Sequence, residues 1–413
     1  MPEPIACAKK WICGCMIDPA ETTSGESRRA TTESVVWSVP DNKRIRLGAP
    51  SLLVLPNGKW LVAFDQSGPD VKDLPGKRGM DARRNRWMQG RVMMSADNGA
   101  TWQLSTTFPF RHASLFRDGG DVFLLGEISG RPQLMRSPDG GGSWSAPMEI
   151  SGEGECWLSP TTVLLFNSSW LVPCLMPVEG GMGLTAFRAP RGASLMSRKT
   201  WTQGPVSAPL ADLIPAMPAA GMGVPWENSA PTWRHPVLVD VPDAEHPWHA
   251  PGRVHAFFAA SSGRQHWAAM LCLDTESLTW STQQTEEGNP WSWIPLPGGH
   301  DKFDLFYEES ARAYWLLGSR GSPGVPVGVD AMREAEVSRI GLWMSDNLVD
   351  WQFAGTVFAG EAGAPGTRRD PVGVILGNDL AMVCRAGDEP SRHVRETTRI
   401  LCRHWQDFRP KIV

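Results

Sequence analysis

Charged side chains stand at the ends of apolar runs along this chain, and their types suit proton transfer and the binding of an anion. Asp65 closes the run Trp60-Leu-Val-Ala-Phe64, Glu227 sits between Trp226 and Asn228, and His112 opens His112-Ala-Ser-Leu-Phe116. Arg46, Lys302, Arg320, Arg369, Asp370 and Arg385 flank other apolar runs. Two carboxyls about 5 Å apart can form and break a covalent glycosyl intermediate, whereas a pair about 6.5–9.5 Å apart leaves room for an attacking water. A carboxylate beside aromatics, like Glu227, is where a raised pKa arises, so Glu227 with Asp65, or with an Asp of the loop 66–90, is the expected catalytic pair. The planar fork of arginine suits a substrate carboxylate. A histidine such as His112 can take the proton α to a uronate carboxylate. Each residue also has a plain structural use: Arg46 can pair with a neighbouring acid, Asp65 can cap its own loop, and a lone histidine often only supports hydrogen bonds.

Residues so far apart in the chain need a scaffold that collects strand ends in one place. Ser95-Ala-Asp97-Asn-Gly99-Ala-Thr101-Trp102 recurs as Ser137-Pro-Asp139-Gly-Gly141-Gly-Ser143-Trp144, a repeat of the form S-x-D-x-G-x-[ST]-W. In such a turn the Asp accepts hydrogen bonds from loop amides, the Gly supplies a positive φ, and the Trp packs on the neighbouring unit. Looser copies are expected at Asp346 to Trp351, at Asp274 to Trp280 and at Ser197 to Trp201. Apolar runs before each turn fall into four-strand modules: 51–55, 60–64 and 91–95 lead into Trp102, and 112–116, 122–125 and 133–136 into Trp144. Further modules are read at 161–201 with a weak third and fourth strand, at 232–280 after a linker at 205–225, and at 303–351. The sixth (372–376, 380–384, 399–402) is one strand short, and residues 34–39 can supply it. The reading is an all-β, six-bladed propeller of four-stranded antiparallel blades closed by an N-terminal strand. Residues 1–33 are expected to be a poorly ordered extension, and 34–413 a single domain.

Composition agrees with many short strands and tight turns: 42 Gly, 35 Pro and 20 Trp among 413 residues, of which 20% are charged. A net charge of −4 gives no electrostatic footprint for nucleic acid. The eight cysteines are scattered, which favours buried free thiols over a disulfide framework, and Cys13-Gly-Cys15 is too isolated for a metal site. No cofactor or metal is read from the chain. A cytoplasmic monomer without a membrane span is expected, its partner a glycan or small sugar acid.

Boxed turns at this spacing on a six-bladed ring resemble the Asp-box repeats of the sialidase superfamily, over nearly all of residues 34–413. The stretches Ala49 to Gly58, Trp226-Glu227-Asn228, Pro297 to Tyr307 and Asp407-Phe-Arg409 are similar to a divergent sialidase-like branch. The resemblance implies that Asp97, Trp102, Asp139, Trp144, Asp346 and Trp351 are structural and lie opposite the substrate mouth. It also implies three arginines gripping a carboxylate sugar, an Asp acid/base, and a Tyr nucleophile activated by a Glu. Arg46 stands near the first arginine position, Glu227 at the activating Glu, and Arg320 or Arg385 at the third arginine. At the second arginine position the chain reads Ala259-Ala-Ser-Ser262, with Arg264 nearest. At the tyrosine position it reads Arg368-Arg369-Asp370-Pro371, and Tyr307 and Tyr314 flank a turn on the far face. The tyrosine mechanism is therefore not expected here.

If the boxes mark one face, the other collects residues just before each first strand and just after each second strand. His112, Lys302, Arg369 and Asp370 belong to the former set, and Asp65, Glu127, Arg320 and Arg385 to the latter. The loop 66–90 adds Asp70, Asp73, Asp81, Arg83, Arg84 and Arg86. Three functions stay open: an exo-acting glycoside hydrolase on an anionic (sialic or uronic acid) glycan, a lyase on uronate polymers with His112 as base, and a propeller that binds glycan without turnover.

Overall fold

Asn57 and Gly58 set the first hairpin. Gly58 takes φ 81°, the Leu55 amide donates to the Lys59 carbonyl at 2.8 Å, and the flanking runs pair as Ser51–Val54 with Trp60–Ser67. A Gly119-Gly120 turn joins Arg111–Asp118 to Asp121–Ile128 in the same way. The computed structural model describes residues 31–40, 43–150, 154–160, 163–214, 232–261, 266–320, 339–359, 366–387 and 397–409. They form six blades of four antiparallel strands in a ring, a six-bladed β-propeller.

Blade one is Ser51–Val54, Trp60–Ser67, Arg86–Ser95 and Gln103–Phe108, with short added strands at Arg46–Leu47 and Gly79–Asp81. Blade two is Arg111–Asp118, Asp121–Ile128, Arg131–Ser137 and Met148–Glu149. Blade three is Leu164–Phe166, Ser169–Val178, Gly181–Pro190 and Thr202–Gln203. Its third strand is not weak but ten residues long; the glycines and the proline at its two ends disguise it in the sequence. Blade four is Thr232–Val239, Arg253–Ser261, Trp267–Asp274 and Trp280–Ser281, with Trp293–Pro295 added. Blade five is Asp304–Glu308, Ala313–Ser319, Arg339–Ser345 and Gln352–Ala359. Between blades three and four one helical turn, Leu210–Leu213, is the one α-helix among the described residues.

Blade six is Arg368–Leu376, Asp379–Ala386 and Arg399–Trp405, and its fourth strand is Thr31–Ser38 from the start of the chain. The closing strand begins three residues before the expected 34, at Thr31; residues 1–30 lie outside the described residues. Apolar side chains fill each blade boundary. At the closing boundary Val36, Trp60, Val62, Phe64, Val383 and Ile400 form one buried cluster. Cys156, Cys174, Cys272, Cys384 and Cys402 are free and buried. No described helix is long and apolar enough to cross a membrane.

The boxed turns rivet neighbouring blades. Asp97 accepts from the Thr101 amide (2.9 Å), the Thr101 hydroxyl (2.6 Å) and the Ser95 hydroxyl (2.7 Å), which pull its pKa down to about 2. Trp102 Nε1 then donates to Ser34 Oγ on the closing strand at 3.0 Å. Asp139 repeats the pattern, and Trp144 Nε1 donates to Ser105 Oγ on the outer strand of blade one at 3.0 Å. In blade five the expectation is off by one residue. Asn347, not Asp346, occupies the box position, its Oδ1 accepting from the Val349 and Asp350 amides at 3.0 and 2.8 Å. Trp351 is buried there.

Deleting residues 1–39 exposes the edge of Arg399–Trp405 and removes buried Val36 and Val39. The truncated chain should lose several kcal/mol in chemical denaturation relative to the full chain.

Candidate functional site

The inner strands of blades two, four and six open with the same irregularity. Arg111 pairs with Glu127 and Ser114 with Leu125; Arg234 pairs with Ala259 and Val237 with Phe257; Arg369 pairs with Arg385 and Val372 with Val383. In each blade two residues thus oppose one, a β-bulge. The first of the two is left-handed although it is not glycine: His112 at φ 52°, His235 at 54° and Asp370 at 53°. Such residues cost about 1–3 kcal/mol each and gather where side chains do work.

Asp65 holds the first bulge, its Oδ1 accepting from the His112 amide at 2.9 Å. A Cβ at Gly48 would meet Asp65 Oδ2 at 2.4 Å, so only glycine fits beside this carboxylate. Burial pushes the Asp65 pKa up, against the His112 amide and the charges of Arg111 and Arg385. Arg385 also ion-pairs with buried Asp370 and donates from Nη1 to the Leu47 carbonyl at 2.8 Å. Burial raises the Asp370 pKa too, but Arg385, Arg369 and Lys302 together hold it below the ordinary value. Arg369 is itself clamped by Asp301, through Nε at 3.0 Å and Nη2 at 2.5 Å.

Lys302 is 1% exposed, and its Nζ has no hydrogen-bond acceptor among the described residues. Burial lowers its pKa, opposed first by Asp370 and then by Asp304. His235 Nδ1 lies 3.2 Å from Ser159 Oγ, and burial lowers the ring's pKa to about 4. The His112 pKa falls well below its usual value through burial and the nearby charges of Arg111, His235 and Arg84. Its Nδ1 has no hydrogen-bond partner and lies 3.8 Å from Glu127 Oε1, which Arg111 Nη2 holds at 2.5 Å. His112, His235 and Asp370 come from alternate blades, yet the charge of His235 acts on His112 and that of Asp370 acts on His235. These groups therefore converge near the centre of the ring.

Of the residues expected at the mouth, Asp65, His112, Lys302, Arg369, Asp370 and Arg385 come together there. Arg46 is partly buried on its short strand opposite Ser67, and its side chain makes no hydrogen bond or ion pair among the described residues. Arg320 turns outward instead: it donates to Thr356 Oγ1 at 2.8 Å and lies 4.4 Å over the Phe353 ring, both on the outer strand of its own blade. Glu227 and Arg264 lie outside the described residues. The first strand of blade four brings Arg234 and His235 to the ring position where the sequence suggested Glu227. The loop 66–90 contributes Asp81, fully buried, which accepts from Arg84 Nη1 at 3.0 Å, while Arg84 lies 5.5 Å over the Trp157 ring. Asp70 pairs with Arg44, and Arg83 with Glu155. Tyr307 and Tyr314 pair near the far turn of blade five, with ring centroids 4.9 Å apart.

Sequence reasoning missed Arg234, His235, Asp301 and Ser159. One signal was present: Arg111-His-Ala113, Arg234-His-Pro236 and Arg369-Asp-Pro371 share the form R-[HD]-[AP] at one level of alternate blades.

No protein-family model matches the chain, and no curated protein matches it. Solved structures do. A protein of unknown function from Dyadobacter fermentans is similar with a TM-score of 0.57 and 12% identity, over 92% of this chain and 99% of that one. The NanB sialidase from Streptococcus pneumoniae is similar with a TM-score of 0.55 and 12% identity, over 91% of this chain and 71% of that one. At this identity the likeness is one of fold alone, the six-bladed β-propeller.

Two outcomes follow from the geometry. Asp65→Ala leaves the buried His112 amide without an acceptor and should cost about 1–3 kcal/mol in urea unfolding, whereas Asp65→Asn keeps an oxygen there and should cost less. Asp304 is buried and accepts from the Gly373 amide at 2.8 Å, and burial pushes its pKa up from 3.8 to about 6. The folded chain therefore holds a proton that the unfolded chain releases earlier, so this group's contribution to stability falls as pH rises between those two values. Asp304→Asn should stabilise the protein by about 1–3 kcal/mol near pH 7.5 and leave it unchanged near pH 4, as read by thermal melts.

Proposed function

We propose that this protein is a glycoside hydrolase that cleaves an anionic glycan at the mouth of the propeller. The observation that carries the reading is the pair Asp65 and Asp370. Both are buried, both interact with Arg385, and their pKa values are pushed in opposite directions. Hydrolysis of a glycosidic bond asks for that division of labour, one carboxyl kept protonated as acid and another kept ionised. Asp65 would protonate the leaving oxygen. Asp370, held ionised by Arg385, Arg369 and Lys302, would activate water or attack the anomeric carbon. Lys302 Nζ, with no acceptor of its own, and the guanidiniums of Arg234 and Arg46 would receive the sugar's anionic group. The likeness in fold to a bacterial sialidase supports the substrate class. The absence of a tyrosine from this cluster argues for the carboxylate pair instead of a tyrosine nucleophile. Glu227, which the sequence reading pairs with Asp65, lies outside the described residues, and Asp370 takes its place in this proposal.

One observation favours a second reading. The His112 ring is held neutral, and its Nδ1 is unengaged beside Glu127. A neutral imidazole with a free nitrogen can abstract the proton α to a uronate carboxylate, which is lyase chemistry. A lyase would release an ultraviolet-absorbing unsaturated sugar, and a hydrolase a saturated reducing sugar.

The test is product analysis on sialosides and on uronate polysaccharides with the parent, Asp65→Asn and Asp370→Asn. Each variant should lower kcat by about 10²–10⁴-fold while leaving KM within a few-fold. The pH profile of kcat/KM should fall on the acid side as Asp370 is protonated and on the alkaline side as Asp65 loses its proton, and Asp65→Asn should flatten the alkaline limb. Full turnover in both variants would remove the pair from the mechanism.

A further inference from the structure

The axis of the ring holds a cavity of about 770 Å³ that the mouth chemistry does not use. Inner-strand residues of all six blades line it, among them Leu52, Leu115, Leu164, Val237, Leu305 and Val372. It reaches the residues that follow the inner strands of blades four and five, Asp240 to Asp243 and Glu309 to Arg312, and so opens on the face of the boxed turns. Its volume lies within the range of sites that enclose a small organic molecule, about 300–1,000 Å³.

Its charge is one-sided. Four carboxylates line it, those of Asp240, Asp243, Asp304 and Glu309, against a single guanidinium, Arg312, which already faces Asp243 at 3.5 Å. At the opposite mouth the carboxylates are matched by Arg111, Arg369, Arg385 and Lys302. Inner-strand leucines and valines line the cavity beside its polar groups, so a charge placed there is less screened than on an open surface. Among the described residues no group of three or more His, Cys, Asp or Glu side chains could hold a metal ion. The carboxylates are thus spread around a chamber whose wall mixes inner-strand leucines and valines with polar groups, which suits an organic cation better than a bare ion. Tyr307 is among the lining residues, and an aromatic ring attracts an ammonium group.

We propose that this chamber is a second ligand site, separate from the mouth, that takes an organic amine: an ammonium group held among the rim carboxylates and an apolar body lying along the inner-strand leucines and valines. Charge complementarity and the leucines and valines of the wall select this occupant. A carboxylic acid of the same length would be repelled, and an alcohol would gain only the apolar contact.

Matched probes test it on the full chain: hexylamine, 1-hexanol and hexanoate, titrated by calorimetry. Hexylamine should bind at least about tenfold more tightly than either of the other two, and Asp240→Asn with Glu309→Gln should remove about tenfold of that affinity. Glu309 is exposed, so the single Glu309→Gln variant folds whatever the fate of the double. The chain has 2 tyrosines, so ring-labelled tyrosine gives two resolvable signals. Tyr307 should shift on adding hexylamine, and should do so equally in Asp370→Asn, whose change is at the mouth. Equal binding of the three probes, no binding of any of them, an unchanged affinity in both carboxylate variants, or a silent Tyr307 would each overturn the proposal.

Discussion

The pairing of the first strand with the last governs everything else in this molecule. Thr31–Ser38 hydrogen-bonds to Arg399–Trp405, and a ring of six wedges exists only when that seam is shut. The polar contacts at the mouth depend on it directly. Arg385 in blade six reaches the Leu47 carbonyl ahead of blade one, Asp65 in blade one holds the His112 amide of blade two, and both carboxylates of the proposed pair share Arg385 across the seam. An open ring would separate the acid from its partner without altering either residue. Trp102, donating to Ser34, pins the closing strand from the opposite face. The boxed turn therefore serves the mouth at a distance.

Closure also fixes what the two ends of the axis can do. At the mouth, bulges in alternate blades turn His112, His235 and Asp370 out of the regular alternation of their strands. Burial keeps the two histidines neutral, while nearby cations keep Asp370 ionised. Further along the same inner strands regular alternation resumes, and the wall becomes leucine and valine down to the acidic rim. Lys302, just ahead of the first blade-five strand, and Asp304, which opens it, stand where one environment gives way to the other.

The ring was legible in the sequence because its causes are local. Asn57-Gly58, the period-two apolar runs and the Ser95 to Trp102 spacing are all short-range signals, and the missing sixth-blade strand followed from counting them. The site was legible only in part. Asp65, His112, Lys302, Arg369, Asp370 and Arg385 could be placed by asking which strand ends share a face, since that question needs only strand order. Arg320 shows the limit: its backbone is at the right end of its strand, but Thr356 and Phe353 turn its side chain outward, and no local pattern encodes that choice. Asn347 shows another, because an asparagine amide can replace a box carboxylate and slide the apparent register by one residue. His235 was hidden by its three-residue context, too short to stand out until the blades were aligned.

A sugar acid is proposed to bind over Asp65 and Asp370, at the bulged ends of the inner strands. Crystals of Asp370→Asn soaked with sialic acid and, separately, with a glucuronide test it most directly. The account predicts pyranose density at the ring centre on the mouth side, with the sugar carboxylate within hydrogen-bond distance of Lys302 Nζ, Arg234 or Arg46. Sugar density on the face of the boxed turns, or a mouth in which Lys302 Nζ meets a protein acceptor and no sugar enters, would contradict it.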